Sequence, residues 1–431
     1  MGRVLQSNNW LYAVSATLVF VMLSVSNTHA VESQIKLFSA SDEYDVQQTI
    51  HNFDVWKDVN PKSLDILTFK PNPTTNLAGF KFDQQLNLID RITSRPGQQA
   101  FIFGKSTSEI WSFGGSCAQP FAGSRNCNAI VNTKSGDKLT PENIPSGIDS
   151  HELLPDGLGN FWILSYPTYS CEEYSLLCGP NARSAEKRLV DCEILKISLQ
   201  GKVLFRWSAK DNLPKSEIIS SYKLEMPSAF QDIYHCNSID IIDDKSILVS
   251  FRNTNSVYSI DTNSGRVNWK VGGNFWPKIS AVTTGLNSKT EKIFVAQHDA
   301  RSLGNDMFSV FNNNSHSASP AEGLIFSVKK NTRQRAIVKK VQSFVNPSGD
   351  SSLCQGGFTK ISQKFFLAQW GCSPNGLTLF SASGIPIVSV KLPFSATNRT
   401  LFVPDSLVMN KIDWQPWLNS LMGYRAVAFR Y

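Results

Sequence analysis

The sequence repeats a four-strand pattern, and this repetition limits the possible folds more than any other feature. Four segments begin at His151, His235, His298 and Cys354, and each reads as a polar opening, a strand, a turn and a second strand. They recur every 55 to 85 residues or so, about the length of one supersecondary repeat. A second hairpin follows each segment, as in EILKISLQGKVLFRWS and VYSIDTNSGRVNWKVG, with polar and glycine residues at its turn. No long stretch shows helical periodicity.

Four strands per repeat are typical of β-propeller blades. Upstream, QAFIFGK and EIWSFGG indicate an earlier blade, and the segments from LFVPDS to YRAVAFRY indicate strands of a last one. We therefore predict an all-β fold, a six-bladed β-propeller over residues 95–431, with residues 31–94 partly supplying strands that close it. A pair of β-sandwiches is the rival, but the constant order of the hairpin pairs favours the propeller. Trp207 and Trp269, in outer hairpins, are predicted to pack between blades.

The first 30 residues differ from the rest. Arg3 precedes an apolar run from Trp10 to Val25, and Asn27-Thr28-His29-Ala30 follows it. This pattern predicts a secretory signal peptide over residues 1–30, cleaved after Ala30, because the run is short for a membrane span of about 20 residues. A retained anchor is the alternative. We expect a secreted protein with no stable membrane insertion after cleavage.

Secretion changes how the cysteines are interpreted. The chain has eight, all after residue 30 and with no CxxC pair, so disulfides are favoured over zinc. Two sequons, at Asn313 and Asn398, suggest a glycoprotein. The formal net charge of +7 suits a small anionic ligand, and no basic cluster indicates nucleic-acid binding. The oligomeric state is left open.

Three of the six histidines open the same element of successive repeats. Equivalent positions in a propeller form a ring around its axis, and the innermost strands line the central channel. His151, His235 and His298 are therefore predicted to converge at the channel mouth. His51 and His316 have no repeat partner and are predicted to be surface residues.

The hairpin after His235 adds two more polar groups to this cluster. Strand alternation places His235 and Asn237 on one face. A two-residue turn at Asp243-Asp244 sets Arg252 opposite His235, and a four-residue turn sets it opposite Asn237. Cys236 faces the other side, where we expect packing or a disulfide. In CQGGFTKISQKFFLAQWGC, the same geometry predicts a disulfide between the cysteines at its ends, residues 354 and 372.

The predicted cluster is rich in nitrogen donors. Arginine offers a planar fork for oxyanions. The equivalent ring positions hold no carboxylate, which argues against a glycosidase, and Arg252 would repel a metal cation, so no metal is expected. Such a site fits a sulfuryl or phosphoryl group, which a neutral histidine nitrogen can attack and hold covalently.

The motifs in this region resemble those of the arylsulfate sulfotransferase (arylsulfotransferase) family. They are H-x-N-S from His235, S-x-R ending at Arg252, S-I-D-x-x-x-G-x-V-x-W-x-x-G-G from Ser259, and Q-H-D-A-R around His298. HELLPDG from His151 and YRAV near the C-terminus are weaker matches. The resemblance covers roughly residues 95 to 431. The family's bacterial members carry an N-terminal β-sandwich, which we do not expect in this chain because of the short segment before the first clear blade.

The resemblance implies a function and a role for each residue. The family moves a sulfuryl group from an aryl sulfate to a phenol through a sulfated histidine, which His298 matches. His235, Asn237 and Arg252 match the residues that hold the sulfate, and His151 matches the remaining channel histidine, an acid or base. Asp299 and Arg301 are expected to support His298. The partners are thus a small-molecule aryl sulfate and a phenol, with no cofactor, consistent with the lack of a G-x-x-x-x-G-K-[ST] loop.

Three other functions are kept as alternatives. The protein could hydrolyse aryl sulfates with water as acceptor, or be a secreted, non-catalytic propeller that binds a ligand or partner. SIDTNSGRVNW also resembles a repeat of quinone-cofactor propellers, but those carry it in most blades, whereas this chain has one clear copy and one partial copy.

Overall fold

The computed structural model describes part of the chain. The described residues are 64–69, 77–82, 88–93, 99–103, 110–118, 126–132, 136–171, 188–217, 230–273, 281–283, 293–315, 317–330, 336–361, 363–371, 376–390 and 425–430. Nearly all of their regular structure is β-strand, which confirms the predicted all-β class. None of the helices among these residues is long and apolar enough to span a membrane.

The first half of the chain forms fourteen described strands. They are β1 (Leu64–Phe69), β2 (Leu77–Phe82), β3 (Leu88–Thr93), β4 (Gln99–Phe103), β5 (Ile110–Ala118), β6 (Asn126–Asn132), β7 (Lys138–Leu139), β8 (Ile148–Pro155), β9 (Asn160–Ser165), β10 (Thr168–Ser170), β11 (Arg188–Val190), β12 (Glu193–Ser198), β13 (Val203–Ser208) and β14 (Phe230–Asp232). One short α-helix, α1 (Ala209–Asn212), and a 3₁₀ turn, Lys215–Glu217, follow β13.

The second half continues in the same way. Its described strands are β15 (Cys236–Ile241), β16 (Ser246–Phe251), β17 (Ser256–Asp261), β18 (Val267–Gly272), β19 (Ala281–Thr283), β20 (His298–Gly304), β21 (Met307–Asn312), β22 (Glu322–Lys330), β23 (Ala336–Val345), β24 (Gly357–Lys360), β25 (Phe365–Gln369), β26 (Leu377–Ser381), β27 (Pro386–Val390) and β28 (Arg425–Arg430). A 3₁₀ turn, Arg252–Thr254, links β16 to β17.

Most of the sheets are antiparallel meanders in which each strand pairs with the next. The strand orders are β15-β16-β17-β18, β20-β21-β22-β23 with β19 parallel to β23, and β24-β25-β26-β27. In the first half, an eight-stranded sheet runs β13-β12-β9-β8-β6-β5-β4 with β7 on β6, and β10-β11-β14 form a small separate sheet. Strand β28 pairs with β1 along its whole length, so the chain's last described strand joins the sheet of β1, β2 and β3.

The core lies between the faces of successive sheets. Trp207 on β13 is 3% exposed and donates its indole N–H to the carbonyl of Gly265, 2.9 Å away in the turn after β17. Trp269 on β18 is 7% exposed, and its ring centroid lies 5.0 Å from that of Phe308 on β21. Each tryptophan therefore fills the space between its own sheet and a neighbouring one, which confirms the predicted packing role.

Cysteines in the described part of the chain form disulfides, as the sequence predicted. Cys192 and Cys236 are bonded across 44 residues, which confirms that Cys236 is structural. Cys127, Cys171 and Cys354 are also disulfide-bonded. Residue 372, the predicted partner of Cys354, lies outside the described residues. No group of metal-ligating side chains occurs among the residues that the structure describes.

Candidate active site

Three histidine rings lie in a row at β8, β15 and β20. The ring centroids of His151 and His235 are 4.9 Å apart in an edge-to-face arrangement, and those of His235 and His298 are 6.5 Å apart. His151 is on β8, His235 directly precedes β15, and His298 is the first residue of β20. The structure thus brings together the three side chains that the repeat pattern singles out.

His151 is held by a carboxylate two residues earlier in β8. Both the backbone N–H and the ring Nδ1 of His151 contact Oδ1 of Asp149, and the backbone bond is 2.9 Å long. Asp149 is fully buried and His151 is 8% exposed. A carboxylate at Nδ1 fixes the orientation of the ring.

His235 is held in the same way, but its backbone is unusual. It has a φ of +48°, in the left-handed region, and its backbone N–H donates to Oδ1 of Asp232 over 3.1 Å. Its Nδ1 lies 2.5 Å from the second oxygen of Asp232. Because His235 stands in a turn before β15, the predicted alternation of His235 and Asn237 along one strand face is wrong. The left-handed backbone at His235, and not strand alternation, directs its ring toward His151 and His298.

His298 differs from the other two because its Nδ1 meets neutral acceptors. Oδ1 of Asn313 lies 2.8 Å away and the carbonyl oxygen of Ala296 lies 3.2 Å away. Both hydrogen-bond contacts of the ring within the described part of the chain use Nδ1. The side chain is 3% exposed, so this is the most deeply buried of the three histidines.

Burial lowers the pKa of two of the rings. Desolvation lowers the pKa of His235, although Asp232 acts in the opposite direction. Desolvation also lowers the pKa of His298 well below its usual value, and the positive charge of Arg252 adds to this effect. A neutral imidazole keeps one nitrogen lone pair, which is the form that a nucleophile requires.

Arg252 comes beside His235 because the pairing register changes within the hairpin of β15 and β16. Strands β15 and β16 pair Ile241 with Ile247 and Ser238 with Ser250, which is neither of the two expected registers. A register shift at Asn237 then moves the pairing by one, so that the backbone N–H of Arg252 donates to the carbonyl of His235 over 3.0 Å. The expected proximity of Arg252 and His235 is therefore present, but a bulge at the strand end produces it.

Two nitrogens of the Arg252 guanidinium are held by hydrogen bonds. Nη1 donates to Oδ1 of Asn253 over 3.1 Å, and Nη2 donates to the carbonyl of Leu353 over 3.1 Å. Leu353 is in the loop before β24, so Arg252 links two successive sheets beside the histidines. Arg252 is only half-buried, so its charge is close to both solvent and the His298 ring.

Asn237 is fully buried, and its amide nitrogen donates to the carbonyl of Gln297 over 2.8 Å. The side-chain nitrogen of Gln297 in turn contacts Ser250 Oγ and the carbonyls of Phe251 and Ser256, at 2.9 to 3.2 Å. Asn237 and Gln297 therefore fix the chain immediately before His298.

Asp299 and Arg301 form a hub behind the histidines. Arg301 donates to Asp299 Oδ1 at 2.8 Å, to the carbonyl of Ile239 at 2.7 Å and to Glu152 Oε2 at 2.7 Å. The other oxygen of Asp299 accepts the backbone N–H of Phe358 at 2.8 Å. This hub joins β8, β15, β20 and β24, and neither of its two central side chains contacts the His298 ring by a hydrogen bond.

A family model matches the region of the chain that holds these residues. The model of the family described as "Arylsulfotransferase (ASST)" matches residues 123–388, more than half of the chain and all of the site. The chain belongs to the arylsulfotransferase family. No curated protein matches it significantly.

Similarity to solved structures is distant. A protein of unknown function from Bacteroides caccae shares 11% identity and a TM-score of 0.45, covering 86% of this chain and 100% of that chain. The β-propeller domain of Cps50 (Swd1) from Myceliophteria thermophila shares 10% identity and a TM-score of 0.36, covering 75% of this chain and 85% of that chain.

Sequence reasoning missed the residues that support the histidines. Asp149 and Asp232 lie two and three residues before a site histidine, and this local D-x-H and D-x-x-H spacing was the available signal. The prediction that no carboxylate belongs to the ring is therefore incomplete, since two carboxylates contact it through Nδ1. Asn313 was interpreted as a glycosylation site, but it is fully buried against His298, so this prediction is wrong for the folded protein. Asn398, His51 and His316 lie outside the described residues.

Proposed function

We propose that this arylsulfotransferase-family protein transfers a sulfuryl group from an aryl sulfate to a phenol, with His298 carrying the group. The support is family membership together with one structural observation. Of three adjoining histidines, His151 and His235 have a carboxylate at Nδ1, whereas His298 has only neutral acceptors there. His298 is therefore the ring best kept as a neutral nucleophile, and the other two are suited to hold or move a proton.

In the first half-reaction, Nε2 of His298 donates its lone pair to the sulfur of the aryl sulfate. The S–N bond forms as the S–O bond to the aryl group breaks, and the phenolate leaves with that electron pair. His151 in its protonated form gives a proton to the phenolate oxygen. Arg252 and His235 are assigned to the sulfuryl oxygens. The guanidinium stabilises charge that is spread over such oxygens, and His235 donates its Nε2–H to them when both of its ring nitrogens carry protons, with Nδ1–H directed to Asp232.

In the second half-reaction, an acceptor phenol replaces the first product. His151, now neutral, takes the phenol proton as the phenol oxygen attacks sulfur. The S–O bond forms, the S–N bond breaks and neutral His298 is restored. No nucleotide or cofactor takes part in this cycle. Asn237, Asp299 and Arg301 are assigned to positioning, because their contacts lie within the protein framework.

We propose a six-bladed propeller as the architecture. The described sheets supply six four-strand groups, if β28 is counted with β1 to β3 and the eight-stranded sheet is divided between β6 and β8. The site then lies where the inner strands of successive blades begin. The N-terminal pattern and the disulfides support secretion after cleavage at residue 30, and the protein would act outside the cell.

A transfer assay without nucleotide tests this function. Purified protein is incubated with 4-nitrophenyl sulfate, with and without phenol, and nitrophenolate release is followed beside a His298→Ala control. We expect release that depends on phenol and is lost in the variant. Release that needs no phenol would identify a hydrolase instead. Release that persists in His298→Ala would exclude His298 as the carrier.

A further inference from the structure

Asn313 links the proposed nucleophile to the loop before β24. It follows β21 directly and is fully buried. Its amide nitrogen donates to the carbonyl of Gln355 at 2.8 Å and to Ser352 Oγ at 3.2 Å. Since both amide hydrogens are directed to this loop, the amide oxygen is the atom directed at His298, 2.8 Å from Nδ1.

An acceptor at Nδ1 determines which nitrogen of a neutral histidine keeps its hydrogen. The carbonyl of Ala296, 3.2 Å from the same nitrogen, is a second acceptor that cannot donate. We propose that Asn313 is a positioning residue, which holds the Nδ1 proton on His298 and thereby leaves the Nε2 lone pair for the sulfuryl group. This inference rests on the proposed function, because it concerns how that nucleophile is prepared.

The lack of charge on the Asn313 side chain distinguishes His298 from the other two rings. Asp149 and Asp232 contact Nδ1 of the other two rings, and the charge of Asp232 acts against the desolvation that lowers the pKa of His235. A carboxylate at residue 313 would do the same to His298 and remove its lone pair. An amide gives the same direction to the ring without a negative charge.

The other charged groups near His298 act against protonation or are already occupied. Arg252, His235 and His151 all disfavour a positive charge on the ring. Asp299 is the next residue along β20. Its carboxylate oxygens accept hydrogen bonds from Arg301 and from the backbone N–H of Phe358. The neutral Asn313 is therefore the group whose replacement would most directly change the charge of His298.

The test replaces Asn313 by a residue of the same shape with a charge. In Asn313→Asp, the carboxylate favours the imidazolium, so the pKa of His298 rises and its neutral fraction falls at low pH. We expect the acid limb of kcat/KM to move to higher pH, with about a tenfold loss for each pH unit below the new pKa and recovery above it. Damage to the fold alone would instead lower kcat/KM equally at every pH.

Two further variants complete the comparison. Asn313→Leu removes the acceptor, and we expect kcat to fall about 10- to 100-fold at all pH values with little change in KM, because the ring is no longer held in the attacking orientation. Asn346→Asp is the matched control. Asn346 is a buried residue at the end of β23; its amide nitrogen donates to the carbonyl of Asp350 and its amide oxygen accepts the backbone N–H of Ser348. Its pH profile should match the wild type.

A measurement independent of turnover separates this inference from the proposed function. Nitrogen-15 NMR of histidine-labelled protein, with His298→Gln to assign the signal, reports which ring nitrogen carries the proton. We expect Nδ1–H in the wild type. Protonation at Nε2, an unshifted acid limb in Asn313→Asp, or full kcat in Asn313→Leu would each overturn the positioning role. Nδ1–H in a protein that transfers no sulfuryl group would instead refute the function and leave the assignment of the proton intact.

Discussion

At the scale of single residues, the partner of each ring nitrogen distinguishes three otherwise similar histidines. Asp149 and Asp232 contact His151 and His235, and the amide of Asn313 contacts His298. A histidine with a carboxylate at Nδ1 is suited to a positive charge, and one with an amide there is suited to neutrality. The proposed division of roles follows from this difference.

Replacing Asp232 by Asn tests one of these carboxylate partners. The change removes the charge beside His235 while keeping the size of the side chain. We expect kcat for sulfuryl transfer to fall about 10- to 100-fold, because the ring loses its fixed orientation and the charge that supports its protonated form. Steady-state kinetics with 4-nitrophenyl sulfate measures the effect. Asp243→Asn, an exposed change in the turn between β15 and β16, is the control and should keep wild-type kcat.

The low pKa of His298 has a consequence for stability. The unfolded chain binds a proton at this residue near its usual pKa of about 6.5, whereas the folded protein does not. The free energy of unfolding should therefore fall as the pH drops through that value, by up to about 1.4 kcal/mol per pH unit for this group. Denaturant unfolding of wild type and His298→Gln at several pH values isolates it as their difference.

The comparison with His298→Gln is needed because other groups titrate in the same pH range. Burial raises the pKa of Asp191 to about 6, so Asp191 contributes stability in the opposite direction as the pH falls. Subtracting the variant cancels this contribution. If the difference between the two proteins did not change between about pH 7 and pH 5, His298 would titrate normally and the argument for a neutral nucleophile would fail.

The histidines could be found from the sequence because repeat position is a long-range signal. Their partners could not be found in that way. His235 has a left-handed backbone and its N–H is held by Asp232, and the partner of His298 directly follows β21, the other strand of the same hairpin, fifteen residues later. The sequon at Asn313 also led to the incorrect prediction of a glycosylation site.

At the scale of elements, Arg301 and Asp299 together join four strands. Arg301 of β20 reaches Glu152 on β8 and the carbonyl of Ile239 on β15, and Asp299 extends the hub to Phe358 on β24. Neighbouring carboxylates raise the pKa of Arg301, so its charge is permanent. The hub therefore fixes the relative positions of strands that carry His151 and His298.

Removing the Arg301 side chain should destabilise the folded protein. Arg301→Leu leaves the buried carboxylates of Glu152 and Asp299 without their counter-charge, and we expect the free energy of unfolding to fall by about 3 to 5 kcal/mol. Arg206→Leu is the matched control, because Arg206 is 38% exposed where it pairs with Glu193 and should lose no more than about 1 kcal/mol. Equal losses in denaturant unfolding of the two variants would show that the hub has no special role.

Register is the feature of the elements that the sequence predicted least well. Alternation correctly indicated the hairpin of β15 and β16 but allowed two turn lengths. From Ser238 to Ile241 the structure uses neither of the corresponding registers, but beyond the register shift it pairs Cys236 with Phe251, as the two-residue turn would. A bulge at Asn237 adds a residue that no alternation pattern reveals. Arg252 still comes beside His235, because the bulge moves the pairing by one residue at the strand end where the site lies.

At the scale of the whole molecule, the order of hairpins predicted an all-β protein of successive meanders, and the described strands agree. The repeat also predicted strands near the C-terminus. The pairing of β28 with β1 could not be read from any local pattern, because it joins segments more than 350 residues apart. Such a pairing depends on how all the intervening sheets turn the chain.

This pairing can be tested by truncation. Deleting residues 425–431 removes β28 and leaves β1 without its partner along six residue pairs. We expect the free energy of unfolding to fall by several kcal/mol, at about 1 kcal/mol for each backbone hydrogen bond lost, with aggregation through the exposed strand edge. Thermal unfolding with light scattering measures both effects, and deletion of residue 431 alone is the control. An unchanged transition would mean that β28 does not stabilise the fold.

The measurement that most directly tests the central claim is the mass of the protein during turnover. Purified protein is mixed with 4-nitrophenyl sulfate without acceptor or nucleotide, quenched at alkaline pH within its first turnover, and digested for peptide mass spectrometry. The account predicts one added SO₃ group on His298, which phenol removes. An adduct on another residue, or phenol-dependent turnover in wild type with no adduct at any time, would contradict it.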